Sequence, residues 1–110
     1  MKKLIATCLL ALPLVAPVAA QAQAAWPSKP VRWLVPYPAG GGSDFLARTI
    51  GQQLSTQIGQ PVLVDNKPGG NTAIAAADVV RSAPDGNTVL SADNGTLVFN
   101  PALYKSLSYS

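Results

Sequence analysis

The chain has 110 residues, with eight basic and five acidic side chains and no histidine. This length allows about one small domain. Its acids are all aspartates, so most general-base, nucleophile–base and zinc-site chemistry is excluded. Basic residues are scattered and give no electrostatic footprint for nucleic acid. Catalysis by aspartate alone stays open but is a thin basis for an enzyme, so we expect no enzyme, no metal site and no cofactor.

The first 24 residues have the pattern of a cleaved secretory signal peptide. Lys2 and Lys3 precede an uncharged apolar run over residues 4–20, and small residues allow cleavage after Ala22 or Ala24. A membrane anchor is the alternative, but the run is short for a span and contains two prolines. A lipoprotein anchored at Cys8 is disfavoured because most of the apolar run follows that cysteine. The expected location is the periplasm.

Three short strands are predicted in the remaining sequence. The segment "VRWLV" at 31–35 is rich in β-branched and aromatic residues, and prolines flank it. Similar runs occupy 61–66 and 87–92. Each is followed by a polar, glycine-containing segment: "PYPAGGGSD", "KPGGNT" and "SADNGT". We interpret the "DNGT" part of the last segment as a turn.

Two helices are predicted between these strands. In residues 43–58 the apolar side chains recur every fourth position, which predicts an amphipathic helix with those side chains facing the core. They are Leu46, Ile50, Leu54 and Ile58. Ser43 or Asp44 is expected to be its N-cap, and Gly59 its C-terminal stop. The Ala-rich segment 72–81 predicts the second helix, with Asn71 or Thr72 at its start.

The resulting order, β-α-β-α-β, predicts an α/β fold with a parallel sheet covered by helices. The carboxyl ends of parallel strands lie at one edge of a sheet, so the three polar loops should lie together there. Glycines permit close backbone approach, and helix starts offer free N–H groups to an anion. Hydroxyl and amide partners would come from Ser43, Thr72, Ser91, Asn94 and Thr96. A small carboxylate or phosphate fits this chemistry; ordinary capped turns are the alternative interpretation.

The first loop matches neither of two nucleotide-binding motifs in full. A P-loop requires a lysine after its last glycine, and this chain has Ser43 and Asp44 there. A dinucleotide fingerprint is half present, because Gly40 and Gly42 match and Asp65 could contact a ribose. Phe45 occupies the third glycine position. Because half of the fingerprint is present, an exported nucleotide-binding enzyme remains the alternative class of function.

Four segments together carry a family resemblance over nearly the whole mature sequence. They are "PYPAGGGSDFLAR", "VDNKPGGNTAIAA", "SAPDGNTVL" and "NGTLVFNPALY". In order and spacing they resemble the Bug family, the periplasmic solute receptors of tripartite tricarboxylate transporters. The resemblance implies a two-lobed binding protein that closes on a small carboxylate and passes it unchanged to membrane transporter subunits. A monomer is expected.

The resemblance also implies which residues contact the ligand. In the family, backbone groups and bridging water at the first strand–helix loop hold one carboxylate group, with help from neighbouring loops. In this chain the implied positions are Pro38, Ala39, Gly40, Gly41, Gly42, Ser43, Asp44, Asn71, Thr72, Ser91, Asn94 and Thr96. Asp44 is expected to cap the helix as well.

Two features of the chain depart from the family pattern. Asp93 places a negative charge in the third loop, where it would oppose a bound carboxylate, or recruit an amine, if it faced the site. The favoured alternative is a solvated loop aspartate. The chain also ends where family members continue, so residues 25–110 are expected to form the N-terminal part of the first lobe. A non-functional product of a truncated gene is a further alternative.

Overall fold

Three parallel strands form the centre of the protein in a computed structural model, which describes residues 25–109. The predicted signal peptide at 1–24 lies outside the described residues. The strands are β1 (Val31–Val35), β2 (Val62–Asn66) and β3 (Thr88–Leu90), in the order β2-β1-β3. The predicted α/β fold with a parallel sheet is confirmed. The third strand is shorter than its predicted range.

Helix α1 spans Gly42–Ile58 and α2 spans Ala73–Arg81, within one residue of their predicted starts. A 3-10 turn, Gly70–Thr72, leads into α2. After β3, a π-helical turn at Gly95–Phe99 continues into α3, Asn100–Leu103. The predicted "DNGT" turn is therefore wrong in its second half, because Gly95 and Thr96 begin a helix. Within residues 25–109, no helix combines the length and hydropathy needed to cross a membrane.

The two long helices cover opposite faces of the sheet. Side chains alternate along a strand, and Arg32 of β1 contacts Asp78 of α2 at 3.0 Å. The other face of the sheet meets α1, where Gly51 lies against Val62 and Val64 of β2. Because β1 is the central strand, its residues Val31, Leu34 and Val35 are almost completely buried.

A cluster of ion-paired side chains links α2 to the sheet. Asp78 receives hydrogen bonds from Arg32 at 3.0 Å and from Lys67 at 2.5 Å, and Arg32 also bonds Asp65 of β2. These two cations hold the pKa of Asp78 below its usual range, with Lys67 the larger cause. The cluster is half-buried, so it orients α2 more than it stabilises the fold.

The predicted inward face of α1 is wrong in its first half, whereas the later apolar residues Leu54 and Ile58 are half-buried. Leu46 and Ile50 are 58% and 50% exposed, whereas Ala47 and Gly51 are buried. The predicted N-cap is also wrong: Gly41 is the N-cap, and Ser43 and Asp44 lie in the first helical turn. At α2 the N-cap position is Thr72, as one of the two predictions had it.

Candidate functional site

All three polar loops lie at the carboxyl edge of the sheet, as the parallel topology predicts. The strand order β2-β1-β3 reverses direction beside β1, with consecutive helices on opposite faces. In open parallel sheets, ligands bind outside the carboxyl ends of the strands at such a switch point. Here the switch point lies between β1 and β3. The loops that follow these two strands therefore form the centre of the candidate site, and the second loop, after β2, adjoins them through the contact of Thr72 with Thr96.

The first loop presents backbone rather than side chains. Residues 38–42 are exposed, and Gly40 has φ +85°, a left-handed conformation that favours glycine. Phe45 N–H bonds the carbonyl of the N-cap Gly41 at 2.9 Å, which begins the helical ladder. The N–H groups of the first turn have no acceptor within the helix, and the helix dipole adds partial positive charge there. This loop is suited to an anion.

Asp44 organises this loop from the inside. Its carboxylate is buried and accepts hydrogen bonds from Gly40 N–H at 2.8 Å and from Arg48 Nε at 3.0 Å. Arg48 also donates to the Asn66 amide oxygen, and Asn66 in turn donates to the Tyr37 carbonyl. Asp44 thus reaches back from the third helical position, as the acid of a capping box does. Its charge is directed at protein donors.

These donors lower the pKa of Asp44 to about 2, with the Arg48 hydrogen bond the largest cause and the Gly40 N–H next. A carboxyl whose pKa falls on folding stabilises the protein above its ordinary value of 3.8. That contribution is lost as the pH falls from there toward 2.

We expect Asp44→Asn to destabilise the chain near neutral pH and to matter progressively less in acid. The asparagine cannot bind Arg48 as a charged partner, whereas the wild type loses the same interaction once Asp44 is protonated. Urea unfolding of both proteins, followed by tryptophan fluorescence from neutral pH down to about pH 2, measures the gap between their midpoints. A gap that stays constant across this range would contradict the role given to the charge.

The second loop forms a tight left-handed turn before α2. Asn71 and Thr72 have φ 50° and 73°, following Gly69 and Gly70, which also have positive φ. The Asn71 side chain is exposed on the surface but donates to the Asn100 amide oxygen at 2.7 Å. Thr72 is buried, and its hydroxyl lies 2.8 Å from that of Thr96. These contacts tie the second loop to the helix after β3.

The third loop closes against the first. Asp93 is half-buried and accepts hydrogen bonds from the Tyr37 hydroxyl, from Thr96 N–H at 2.9 Å and from the Thr96 hydroxyl at 3.0 Å. The Tyr37 bond is the largest cause of a lowered pKa at Asp93, and the same bond raises the pKa of Tyr37. Asp93 is therefore a loop-to-loop connector at the switch point rather than a solvated aspartate.

The remaining predicted residues of this loop differ in availability. Ser91 is half-buried, and its hydroxyl oxygen accepts the Trp33 indole N–H at 2.8 Å. Ser91 N–H bonds the Leu34 carbonyl at 3.0 Å, which continues the pairing of β3 with β1. Asn94 is exposed. The exposed members of the predicted set are thus the backbone at 38–42, Asn71 and Asn94, whereas Thr72 and Thr96 are buried.

Three residues that shape the site were not among the predicted set. Tyr37 joins the first and third loops, Asn66 supports the first loop, and Asn100 supports the second. Tyr37 and Asn100 lie within the motifs "PYPAGGGSD" and "NPALY" that carry the family resemblance. Those motifs were the available signal, but nothing in their local spacing indicates contacts between loops.

The dinucleotide alternative loses its acidic residue in this arrangement. Asp65 is bound by Arg32 at 2.5 Å on the face covered by α2, away from the glycine loop. Phe45, at the third glycine position, is 68% exposed. Among residues 25–109, no group of three or more acidic or cysteine side chains is placed to hold a metal ion.

The fold and the site together define the class of protein. It is a parallel α/β protein with an N–H-rich glycine loop at its switch point and with the acids of the neighbouring loops already paired, an arrangement suited to a small anion. The sequence profile of the tripartite tricarboxylate transporter family receptors matches residues 46–110. The chain belongs to this family, which confirms the resemblance seen in its motifs.

Individual relatives agree with this assignment. A UPF0065 protein of Bordetella bronchiseptica is 46% identical over 106 residues, which make up 96% of this chain and 30% of that protein. A solved structure of a periplasmic transporter superimposes with a TM-score of 0.74 and 42% identity over 78% of this chain and 29% of that chain. The R. palustris protein solved with adipate superimposes with a TM-score of 0.72 and 35% identity. That match covers 77% of this chain and 28% of the R. palustris chain. The chain spans less than a third of the length of these relatives.

Proposed function

We propose that this chain is the ligand-contacting start of a periplasmic receptor that captures a small carboxylate and delivers it, chemically unchanged, to a tripartite tricarboxylate transporter. In this proposal residues 1–24 are a cleaved signal peptide, and residues 25–110 are the N-terminal part of the first lobe. The receptor works as a monomer that closes on its ligand and carries out no reaction.

One observation carries the proposal: the candidate edge offers donors while its own acids are neutralised. Asp44 is bound by Arg48 and Gly40 N–H, and Asp93 is bound by Tyr37 and Thr96. An anion at this edge therefore meets exposed backbone N–H groups and a helix start rather than unpaired carboxylates. The adipate bound to the related R. palustris protein supports a carboxylate as the ligand class.

The test is an NMR titration of the full chain with adipate, because this method detects even millimolar binding. We expect amide signals at residues 40–43 and at Asn94 to shift, with weak affinity since a single lobe encloses little of the ligand. NADH, titrated in parallel, addresses the alternative function. Shifts caused by NADH and not by adipate would overturn the carboxylate proposal, as would no shift at these loops with any dicarboxylate.

We expect Gly42→Val to weaken adipate binding at least about tenfold, because it blocks hydrogen bonds to a charged group. Within residues 25–109, and apart from the adjoining residues and the backbone of α1 itself, no atom lies within 4 Å of a Cβ added at Gly42, so the fold accepts the side chain. Helical Cβ atoms point toward the N-terminus, which here is the space in front of the glycine loop. The titration above measures the loss.

The matched control is Thr49→Val, which places the same side chain at an exposed position two turns further along α1. It should leave both the fold and the adipate shifts unchanged. If Gly42→Val bound adipate as well as Thr49→Val does, the start of α1 would not be the carboxylate site.

A further inference from the structure

The turn before α2 is held in a conformation that its residues resist. Gly69, Gly70, Asn71 and Thr72 have φ of 117°, 57°, 50° and 73°. Glycine adopts such values freely and asparagine tolerates them, but a β-branched threonine at positive φ is a true outlier. Strain of this kind persists only where surrounding contacts enforce it, and it concentrates at functional sites.

Asn100 supplies the enforcing contacts from the start of α3. Its side chain is completely buried, and its amide group donates to the Asn71 carbonyl at 2.6 Å while accepting from the Asn71 side chain at 2.7 Å. A further contact reaches the Thr72 hydroxyl at 3.4 Å. A short neutral amide is the side chain that can both donate and accept in one plane, so the pair of bonds clamps the backbone and side chain of Asn71 together.

The clamp is continuous with the rest of the site through hydroxyl groups. A hydroxyl carries one proton, so Thr96 donates to Asp93 and accepts from Thr72. Asp93 in turn accepts from Tyr37 in the first loop. A chain of hydrogen bonds thus runs from Asn100 through the second and third loops to the first. Buried networks of this kind hold one arrangement when every member is satisfied.

We propose that Asn100 is a positioning residue that fixes the left-handed turn at Asn71–Thr72 and thereby sets the geometry of the second loop of the ligand site. The proposal deepens the proposed function and rests on it for its link to ligand binding. Asn100 itself touches no ligand, because its polar atoms are directed at the turn and at the hydroxyl of Tyr109.

The test compares Asn100→Ala with Tyr109→Phe in the full chain. The Tyr109 hydroxyl donates to the Thr96 carbonyl at 2.6 Å and accepts from Asn100 at 3.1 Å. Removing this hydroxyl therefore weakens the hydrogen-bond network around Asn100 but leaves the contacts of Asn100 to the turn in place. Residues with positive φ give a strong intraresidue NOE between the amide proton and Hα. We expect both variants to unfold at lower urea, but only Asn100→Ala to lose this signal at Asn71 and Thr72.

Adipate titration supplies the functional readout. Asn100→Ala should bind roughly tenfold more weakly than the wild type, about 1.4 kcal/mol, and Tyr109→Phe should bind like the wild type. If the wild type binds no dicarboxylate, the proposed function fails while the NOE result still decides the role of Asn100. If Asn100→Ala keeps the positive-φ signals, Asn100 merely packs and the proposal falls.

A second variant covers the case in which Asn100→Ala does not fold. The double variant Asn100→Ala with Thr72→Gly places at position 72 a residue that adopts φ +73° without strain. Recovery of folding by the glycine supports the proposal, since the glycine adds backbone freedom and no contact. If Thr72→Gly alone folds and both variants carrying Asn100→Ala do not, Asn100 belongs to the core rather than to the turn, and the proposal is overturned.

Discussion

Replacing Leu34 with alanine is expected to destabilise the chain by about 2–5 kcal/mol, the usual range for a leucine deleted from a packed core. Leu34 has no exposed surface and lies on the central strand, on the face covered by α2. The core offers little to compensate, because most other buried apolar residues are alanines or valines. Small domains have only about 5–15 kcal/mol of stability in total, so this loss is a large fraction.

Urea unfolding measures this effect, with Trp33 on the same strand as the fluorescent reporter. The matched control is Leu63→Ala, since Leu63 pairs with Arg32 on the neighbouring strand and is 55% exposed. We expect the control to change the free energy of unfolding by about 0.5 kcal/mol or less. Equal losses for the two variants would show that the core is not centred on β1.

The position of Leu34 also links stability to the candidate site. Its carbonyl accepts the Ser91 N–H at 3.0 Å, at the point where the third loop leaves the sheet. The first loop begins two residues further along, at Pro36, which is buried. A cavity beneath β1 would therefore loosen both loops that flank the switch point. The switch-point geometry depends on the same few side chains that stabilise the fold.

The strands and the site edge could be predicted because their signals are local. β-Branched residues bounded by prolines and glycines place β1 and β2 to within one residue, and the β-α-β order implies a parallel sheet. Parallel strands put the loops after them at one edge, whatever else the chain does. The loop segments containing Gly40, Asn71 and Asn94 could thus be selected from sequence alone.

The hydrogen bonds between the loops could not be predicted, because they join residues far apart in the chain. The Tyr37–Asp93 and Asn71–Asn100 pairs depend on how the strands and helices pack together. Polar loop residues have no periodic pattern from which such contacts could be predicted. Thr72 and Thr96 were expected to face a ligand, yet their hydroxyls are buried against each other. Whether the exposed members of the set contact a ligand stays a prediction.

The inward face of α1 was predicted wrongly for a geometrical reason. Residues spaced by four drift about 40° per step around a helix of 3.6 residues per turn, so the Leu46-to-Ile58 series is not one straight stripe. Close approach of a helix to a sheet requires small side chains, and Ala47 and Gly51 provide them. A prediction based on hydrophobicity gives little weight to alanine and glycine, although these small residues decide which face of α1 packs on the sheet.

Gly51→Val is therefore expected to destabilise the chain by about 1–3 kcal/mol, the cost of overpacking a closely packed interface. An ideal Cβ at position 51 would lie 3.1 Å from the Val62 Cγ1 atom and 4.0 Å from the Val64 Cγ2 atom. Valine adds two further methyl groups at this contact, so α1 must move away from β2. Urea unfolding measures the loss, and Gln53→Val, on the exposed side of α1, is the control for β-branching in the helix.

Gly51→Ala separates the two opposing contributions at this position. Alanine gains up to about 1 kcal/mol of helix propensity over glycine, while its single methyl requires Val62 to shift by only a few tenths of an ångström. We expect the gain in helix propensity and the cost of displacing Val62 nearly to cancel. Gly51→Ala should then be about as stable as the wild type, and Gly51→Val much less stable. A valine variant as stable as the wild type would mean that α1 is not seated on β2 through Gly51. In that case the contact of Gly51 with β2 would not be what positions the glycine loop at the switch point.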